Sequence, residues 1–213
     1  MSVRISDSTV RRLSLYLRML RDLREQQVAL VSSSQLAART GATSAQVRKD
    51  LSLFGSFGKR GRGYDVDQLA ATIEDILGLS RTWRVGIVGV GKIGGALLGY
   101  ADMLRRGFEV VAAFDTDPAK IGRAIFGVRV APLADVERVV REEDVEIAIV
   151  ATPPDAAHDV AQRLADAGVG AILNFAPIEL HGIDGVPVRT VDVVLELEGL
   201  SYLLSRPPAR ETD

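Results

Sequence analysis

The chain has 213 residues, 47 % hydrophobic and 25 % charged with a net charge of −2, which is room for one large or two small hydrophobic cores. Cysteine is absent and only His158 and His181 are present, which excludes disulfides, thiol catalysis, iron–sulfur ligation and thiol redox sensing, and leaves no metal site expected. No run is long enough to span a bilayer and the first residues, with Arg4, Asp7, Arg11 and Arg12, lack the apolar stretch of a signal peptide, so a cytoplasmic chain with no membrane contact is expected.

Charge is unevenly placed: the first 80 residues hold 12 Lys+Arg against 8 Asp+Glu, and the rest hold 14 against 20, so the front of the chain is the candidate for a polyanion partner. Ser8 to Gln27 reads as a helix with Val10, Leu13, Leu17, Leu20 and Leu23 on one face. Arg11, Arg12, Arg18, Arg21 and Arg24 read as a solvated face, Arg18 apart, with a phosphate-facing row as the alternative. Ser32, Ser33 and Ser34 offer caps for a short helix through Leu36 and Ala37 to Thr40, closed by Gly41, and Thr43 or Ser44 caps a second helix to about Phe54. Ala37, Gly41 and Val47 sit where the crossing of a helix-turn-helix needs a small residue, a turn and a packing side chain. Ser34 and the outward residues Gln46, Arg48, Lys49 and Ser52 are the candidates for phosphate and base-edge contacts.

Gly58 to Val66 is a basic, glycine-rich loop running into a short β-like segment, the pattern of a wing beside a recognition helix, with Lys59, Arg60 and Arg62 as its phosphate contacts. A helix from Asp67 to Leu79 leads to a boundary near Ser80 and Arg81, and Trp83 reads as a core anchor at that junction.

Arg84 to Val88 is a β-rich run entering Gly89-Val90-Gly91-Lys92-Ile93-Gly94, followed by a helix from Ile93 to Leu104 that turns Ile93, Ala96, Leu97, Ala101 and Leu104 inward, then a strand from Glu109 to Phe114 ending on Asp115. In such a βαβ unit the first glycine makes the turn, the second admits a pyrophosphate, the third packs helix on strand, and an acidic residue at the next strand end takes the adenine ribose hydroxyls. Asp115 favours NAD(H) over NADP(H), because a 2′-phosphate there would meet a carboxylate. Thr116 to Gly122 reads as a loop lining the adenosine pocket, Phe126 to Val130 as a short strand, and Leu133 to Glu142 as a helix. Val145 to Ala151 is a buried parallel strand ending at Thr152 and Pro153, where the nicotinamide half should pass. A helix from Ala156 to Ala167, a strand from Ala171 to Phe175 with Asn174 and Phe175 at its carboxyl end, and a strand from Val188 to Val191 follow. The last helix, Val193 to Leu204, is apolar over so much of its circumference that it needs burial on more than one face, with a partner subunit as the candidate.

Gln46-Val47-Arg48-Lys49-Asp50-Leu51-Ser52, Phe54-Gly55, Phe57 to Tyr64, Ile76 to Leu79, Gly89 to Gly94 and Ile172 to Pro177 together resemble the Rex family of redox-sensing transcriptional repressors, over nearly the whole chain. The resemblance implies an α/β protein: an N-terminal winged helix-turn-helix domain over residues 1–80, a Rossmann-type parallel-sheet domain over 81–192 that binds NADH or NAD+, and a helix over 193–206 exchanged between the subunits of a homodimer. It also implies binding to double-stranded operator DNA that rising NADH releases, and a polar contact between domains carried by Arg18, Tyr100 and Asp192. Val193 stands where some members have an aromatic residue near the nicotinamide. Two other functions are open. An NAD-dependent oxidoreductase would have to use His158 or His181 as its base, lacks a substrate domain and leaves the basic wing unexplained; an NAD(H)-regulated protein-binding module would use the N-terminal domain as a protein-binding surface and lack the steep salt dependence of DNA binding.

Overall fold

In a computed structural model, residues 5–55, 63–183 and 185–205 are described, and the chain divides into two compact units, Met1–Arg81 and Thr82–Asp213. The first contains α1 (Asp7–Glu25), β1 (Leu30–Val31), α2 (Ser33–Thr40), α3 (Ser44–Ser52), β2 (Tyr64–Asp65) and α4 (Val66–Ile76). Ser6 caps α1 by accepting from Thr9 N–H, and Leu13, Tyr16, Leu17, Leu20 and Leu23 point inward while Val10 stays half-buried. The helix stops short of Gln27 because Gln27 itself adopts φ 58 and Val28 N–H returns to Leu23 O at 3.0 Å. That left-handed closure is usually a glycine's, so nothing in the sequence marks it.

Leu36, Val47, Leu51, Leu69 and Ile73 close the core of this unit, each at most 2 % exposed; burying such a side chain is worth about 1.5–3 kcal/mol. Gly41, at φ 67, makes the turn between α2 and α3 as expected. β1, which the sequence did not announce, pairs antiparallel with β2, Leu30 opposite Asp65 and Val31 opposite Tyr64. Two-residue strands are too short to show alternation.

The arginine row of α1 is neither a phosphate row nor a wholly solvated face. Arg12 pairs with Asp50 of α3, Arg21 with Glu74 of α4 and Arg24 with Asp67 of α4, so one side of α1 is tied to its neighbours, while Arg11 and Arg18 are exposed.

The second unit is a seven-stranded sheet of β3 (Trp83–Val88), β4 (Phe108–Asp115), β5 (Ala124–Ile125), β6 (Val128–Pro132), β7 (Ile147–Val150), β8 (Ala171–Asn174) and β9 (Val188–Thr190), in the order β5-β6-β4-β3-β7-β8-β9. Every pairing is parallel except β5 with β6. The helices are α5 (Lys92–Leu98), α6 (Asp102–Arg105), α7 (Val136–Glu142), α8 (Pro154–Asp166) and α9 (Val193–Ser205). Both faces of the sheet are covered: Val88, Phe114 and Val150 meet Val136, Val140, Val160 and Leu164, while Val85, Ile87, Ala113 and Ile149 share a second cluster with Leu98. From β6 to β9 this is the doubly wound order in which the two halves of the sheet diverge between β3 and β7.

Three expectations are corrected here. The helix after the glycine turn is broken: α5 ends at Leu98, Gly99 follows, and α6 starts at Asp102. Gly94, Gly95 and Gly99 each weaken a helix by about 1 kcal/mol relative to alanine, and the buried positions are Gly94 and Leu98, with Ile93, Ala96, Ala101 and Leu104 exposed. Phe126 is not in a strand; with Gly127 it makes the turn of the β5–β6 hairpin, at φ 48 and 85, and its ring covers Gly99. Positive φ at both central residues is what a two-residue hairpin requires, though Asn-Gly is its usual sequence. Trp83 begins β3 itself, opposite Phe108, and is half-buried. The expectation for α9 stands differently: no residue in it is buried, and Leu204 is 83 % exposed.

Candidate functional site

The second unit has its topological switch point at the carboxyl ends of β3 and β7, where open doubly wound sheets take ligands. Gly89, at φ 92, makes the turn out of β3; a Cβ on it would lie 2.6 Å from Ala151 O, so the loops after β3 and β7 touch through backbone. A Cβ on Gly94 would land on the carbonyl of Gly89, whereas nothing lies within 4 Å of where one would stand on Gly91. The three glycines thus have the three separate situations that turn, packing and open approach to a phosphate demand. Gly91 also precedes α5 without a side-chain cap, leaving the N–H groups of the first turn for an anion. Of the intervening residues, Val90 is buried while Lys92 and Ile93 are exposed.

Asp115 ends β4 only 9 % exposed, and its carboxylate does more than wait for a ribose. Oδ2 accepts from Val90 N–H at 2.8 Å and from Lys120 Nζ at 2.9 Å, and Oδ1 accepts from Asp117 N–H at 2.8 Å. It therefore braces the glycine turn from below. Burial pushes its pKa up, but the Asp117 N–H, Lys120 and the Val90 N–H outweigh that and hold it below the usual carboxylate range. Its contribution is present above the ordinary carboxylate pKa and is lost as pH falls through the lowered one. Asp115→Asn should weaken dinucleotide binding by roughly 10-fold, as expected for a charge-assisted hydrogen bond, measured by isothermal titration at neutral pH; unchanged affinity would remove Asp115 from the site.

Just past the carboxyl end of β7, Thr152 Oγ1 is buried and makes no hydrogen bond among the described residues, an unsatisfied group of the sort a bound ligand completes. Pro153 leads into α8 and is exposed; Phe175 is half-buried against Ile149 and Leu173. Asn174 is fully buried, its side chain donating to Ala176 O and Ile178 O and accepting from Ala176 N–H, so its amide shapes the loop after β8. His158 Nε2 is hydrogen-bonded to the carbonyl oxygen of His181 at 3.0 Å, a structural tie between α8 and the loop before β9. Among the described residues no His/Cys/Asp/Glu group is arranged to hold a metal, and no helix is long and apolar enough to cross a membrane.

In the first unit, α2 is capped by Ser32 in a reciprocal box with Gln35, and α3 by Thr43, which accepts from Gln46 N–H at 3.1 Å. Ser34 is exposed and shares a hydroxyl hydrogen bond with Ser32. Arg48 and Lys49 are exposed on α3, Arg48 steadied by Ser33 Oγ at 3.1 Å; Ser52 is exposed with its hydroxyl on Lys49 O. Gln46 is half-buried, its amide on Asp50. Lys59, Arg60 and Arg62 lie outside the described residues; the chain re-enters at Gly63, where a Cβ would stand 2.6 Å from Val31 O, which brings the segment back alongside β1.

The buried carboxylate of Asp50 was not singled out by sequence reasoning. It accepts from Arg12, Tyr16 and Gln46, and its charged neighbour lies 38 residues away, so no local pattern reveals it. Of the three residues expected to couple the domains, Arg18 is exposed on α1, Tyr100 is 54 % exposed just past α5, and Asp192 caps α9 through Oδ1, which accepts from Val194 N–H at 2.8 Å and Leu195 N–H at 3.2 Å.

A helix-turn-helix unit and a doubly wound sheet with a dinucleotide turn define a class, that of DNA-binding regulators carrying a nucleotide-sensing domain. The family model described as "Putative DNA-binding protein N-terminus" matches residues 4–52, and that described as "CoA binding domain" matches residues 80–178; CoA and NAD share an adenosine diphosphate portion. The redox-sensing transcriptional repressor Rex of Roseiflexus sp. is 46 % identical over 94 % of this chain and 91 % of its own, and that of Carboxydothermus hydrogenoformans is 47 % identical over 95 % and 98 %. The Rex-family repressor RSP, solved with β-NAD+ and operator DNA, is 36 % identical with a TM-score of 0.89, covering 96 % of this chain and 94 % of that one. The same repressor solved with β-NADH is 34 % identical with a TM-score of 0.85, covering 96 % of each. The chain belongs to the Rex family of redox-sensing transcriptional repressors.

Proposed function

We propose that this chain is a cytoplasmic, homodimeric repressor that holds operator DNA when NADH is scarce and leaves it when NADH rises against NAD+. The observation that carries the reading is the similarity, over 96 % of the chain, to a repressor solved with both β-NAD+ and operator DNA. The main-chain N–H groups of Gly89 to Gly94 would hold the pyrophosphate, Asp115 the adenine ribose, and Thr152, Pro153 and Phe175 would border the nicotinamide half. The α3 residues Arg48, Lys49 and Ser52, with Ser34 and the wing cations Lys59, Arg60 and Arg62, would meet phosphates, and Gln46 a base edge. The exposed apolar circumference of α9 supports its insertion into a second subunit, and Arg18, Tyr100 and Asp192 would pass the state of the nicotinamide site to the DNA-binding unit.

The switch is a population shift between two arrangements of the DNA-binding units, one spacing two recognition helices by about 34 Å to fit successive major grooves. NADH changes occupancy only through a higher affinity for the other arrangement. Catalysis is not part of this reading: the named relatives are repressors, and His158 is engaged with main chain. The test is a gel shift on upstream DNA from the protein's own genome at fixed salt. A complex dissolved by NADH at concentrations where NAD+ leaves it intact is expected; no complex in any state, with NADH binding confirmed, would overturn the reading.

A further inference from the structure

Gln46 and Asp50 stand one turn apart on α3, and Asp50 is 1 % exposed. Four hydrogen bonds converge on that carboxylate: Arg12 Nε at 2.7 Å and Tyr16 OH at 3.0 Å on Oδ2, Arg12 Nη2 at 2.7 Å and Gln46 Nε2 at 2.8 Å on Oδ1. Arg12 is itself steadied by Thr9 Oγ1 at 3.1 Å. A carboxylate only accepts, so Gln46 can present nothing to it but its NH2 group. The two ends of the amide are therefore distinguished by chemistry: one N–H is bound to Asp50, and Oε1, which accepts no hydrogen bond among the described residues, is left beside the second N–H.

That leaves an acceptor and a donor side by side at the third residue of α3 after its Thr43 cap. The N-terminal turn of a recognition helix is the part that meets base edges. Such a pair complements adenine, whose major-groove edge offers the N6 amino donor and the N7 acceptor. Arg48 and Lys49, by contrast, are long exposed cations suited to phosphate. We propose that Asp50 is a positioning residue that holds the Gln46 carboxamide in one orientation to read an adenine in each half-site, with Arg12 and Tyr16 anchoring this clamp to α1. The proposal rests on the repressor reading above. Its physical basis is preorganisation: the glutamine loses its rotamer freedom on folding and not on meeting DNA, so a mismatched base cannot be accommodated by a cheap rotation.

The test uses the full chain without NADH and its operator, with single adenines replaced by 7-deazaadenine, which lacks the N7 acceptor. One adenine per half-site should weaken wild-type binding by roughly 10-fold when replaced. Asp50→Asn should shrink that penalty to below about 3-fold, leaving the salt dependence set by the phosphate contacts unchanged. In a Gln46→Ala background Asp50→Asn should change the penalty no further. An undiminished penalty in Asp50→Asn, or no adenine that responds to Gln46→Ala, would overturn the proposal. Because Asp50→Asn risks the fold, a second measurement needs no variant: the Gln46 side-chain amide of the DNA-free protein should show a ¹⁵N order parameter as high as the α3 backbone, and a value as low as those of exposed Gln26 and Gln27 would equally overturn it. Failure to bind any genomic duplex would instead sink the repressor reading, while the amide measurement would still decide whether the clamp exists.

Discussion

Gly94→Ala should lower NADH affinity by more than about 100-fold and leave operator binding in place but deaf to NADH, read by isothermal titration and gel shift. The added methyl would fall on the carbonyl of Gly89, with Ile87 behind it, and a backbone atom cannot move aside as a flexible side chain does. Relief requires opening the turn out of β3, and overpacking of this kind typically costs about 1–3 kcal/mol, so the second unit should also unfold at lower temperature. Gly91→Ala separates the two causes. Nothing lies within 4 Å of its added methyl, so stability should hold while NADH binding falls through collision with the pyrophosphate. Equal behaviour of the two variants would show that the two glycines do not have separate roles.

Asp50→Ala should destabilise the first unit by about 3 kcal/mol, in the range for breaking a buried ion pair and leaving the other charge behind. Arg12, only 24 % exposed at its side chain, would lose its partner, and the Tyr16 hydroxyl, fully buried, would lose its acceptor. The same network sets a pH dependence. Burial pushes the Asp50 pKa up, but the hydrogen bonds from Arg12, Gln46 and Tyr16 outweigh it and hold it below the ordinary carboxylate value. The stabilisation is therefore present above the unfolded carboxylate pKa and lost as pH falls through the lowered folded one. Tyr16, pushed up to about 12 by burial and then by Asp50, stays neutral throughout. Protection of the α1 and α3 amides, taken relative to the intrinsic exchange rate at each pH, should fall on acidification in the native chain; Asp50→Ala should be less protected at neutral pH and lack this acid-dependent component. Matching acid profiles in both proteins would assign the effect to other carboxylates.

The dinucleotide turn was legible because each glycine there answers a different local demand, and strand, turn, helix and acid follow one another within one βαβ unit. The helix-turn-helix was legible for the same reason, in the Ser32 and Thr43 caps and the Gly41 turn. What escaped was decided over distance or by unusual residues. Gln27 and Phe126 take positive φ where glycine or asparagine would have advertised a turn, so the end of α1 and the β5–β6 hairpin were misplaced. Gly99 broke a helix whose apolar spacing continued past it. Asn174 was legible as a polar residue at the carboxyl end of a strand, and only the fold shows its amide satisfied by the loop it organises. Asp50 sits in a run of polar residues, and its burial follows from Arg12 and Tyr16 on another helix.

The most direct test of the switch is NADH affinity measured on the free protein and on the protein saturated with operator, at one salt concentration. Linkage requires the two effects to be reciprocal: if NADH weakens operator binding by a given factor, operator must weaken NADH binding by the same factor. Two equal weakening factors are the predicted result, with NAD+ showing a smaller coupling. NADH affinity indifferent to operator would contradict the population shift, whatever the two units bind separately.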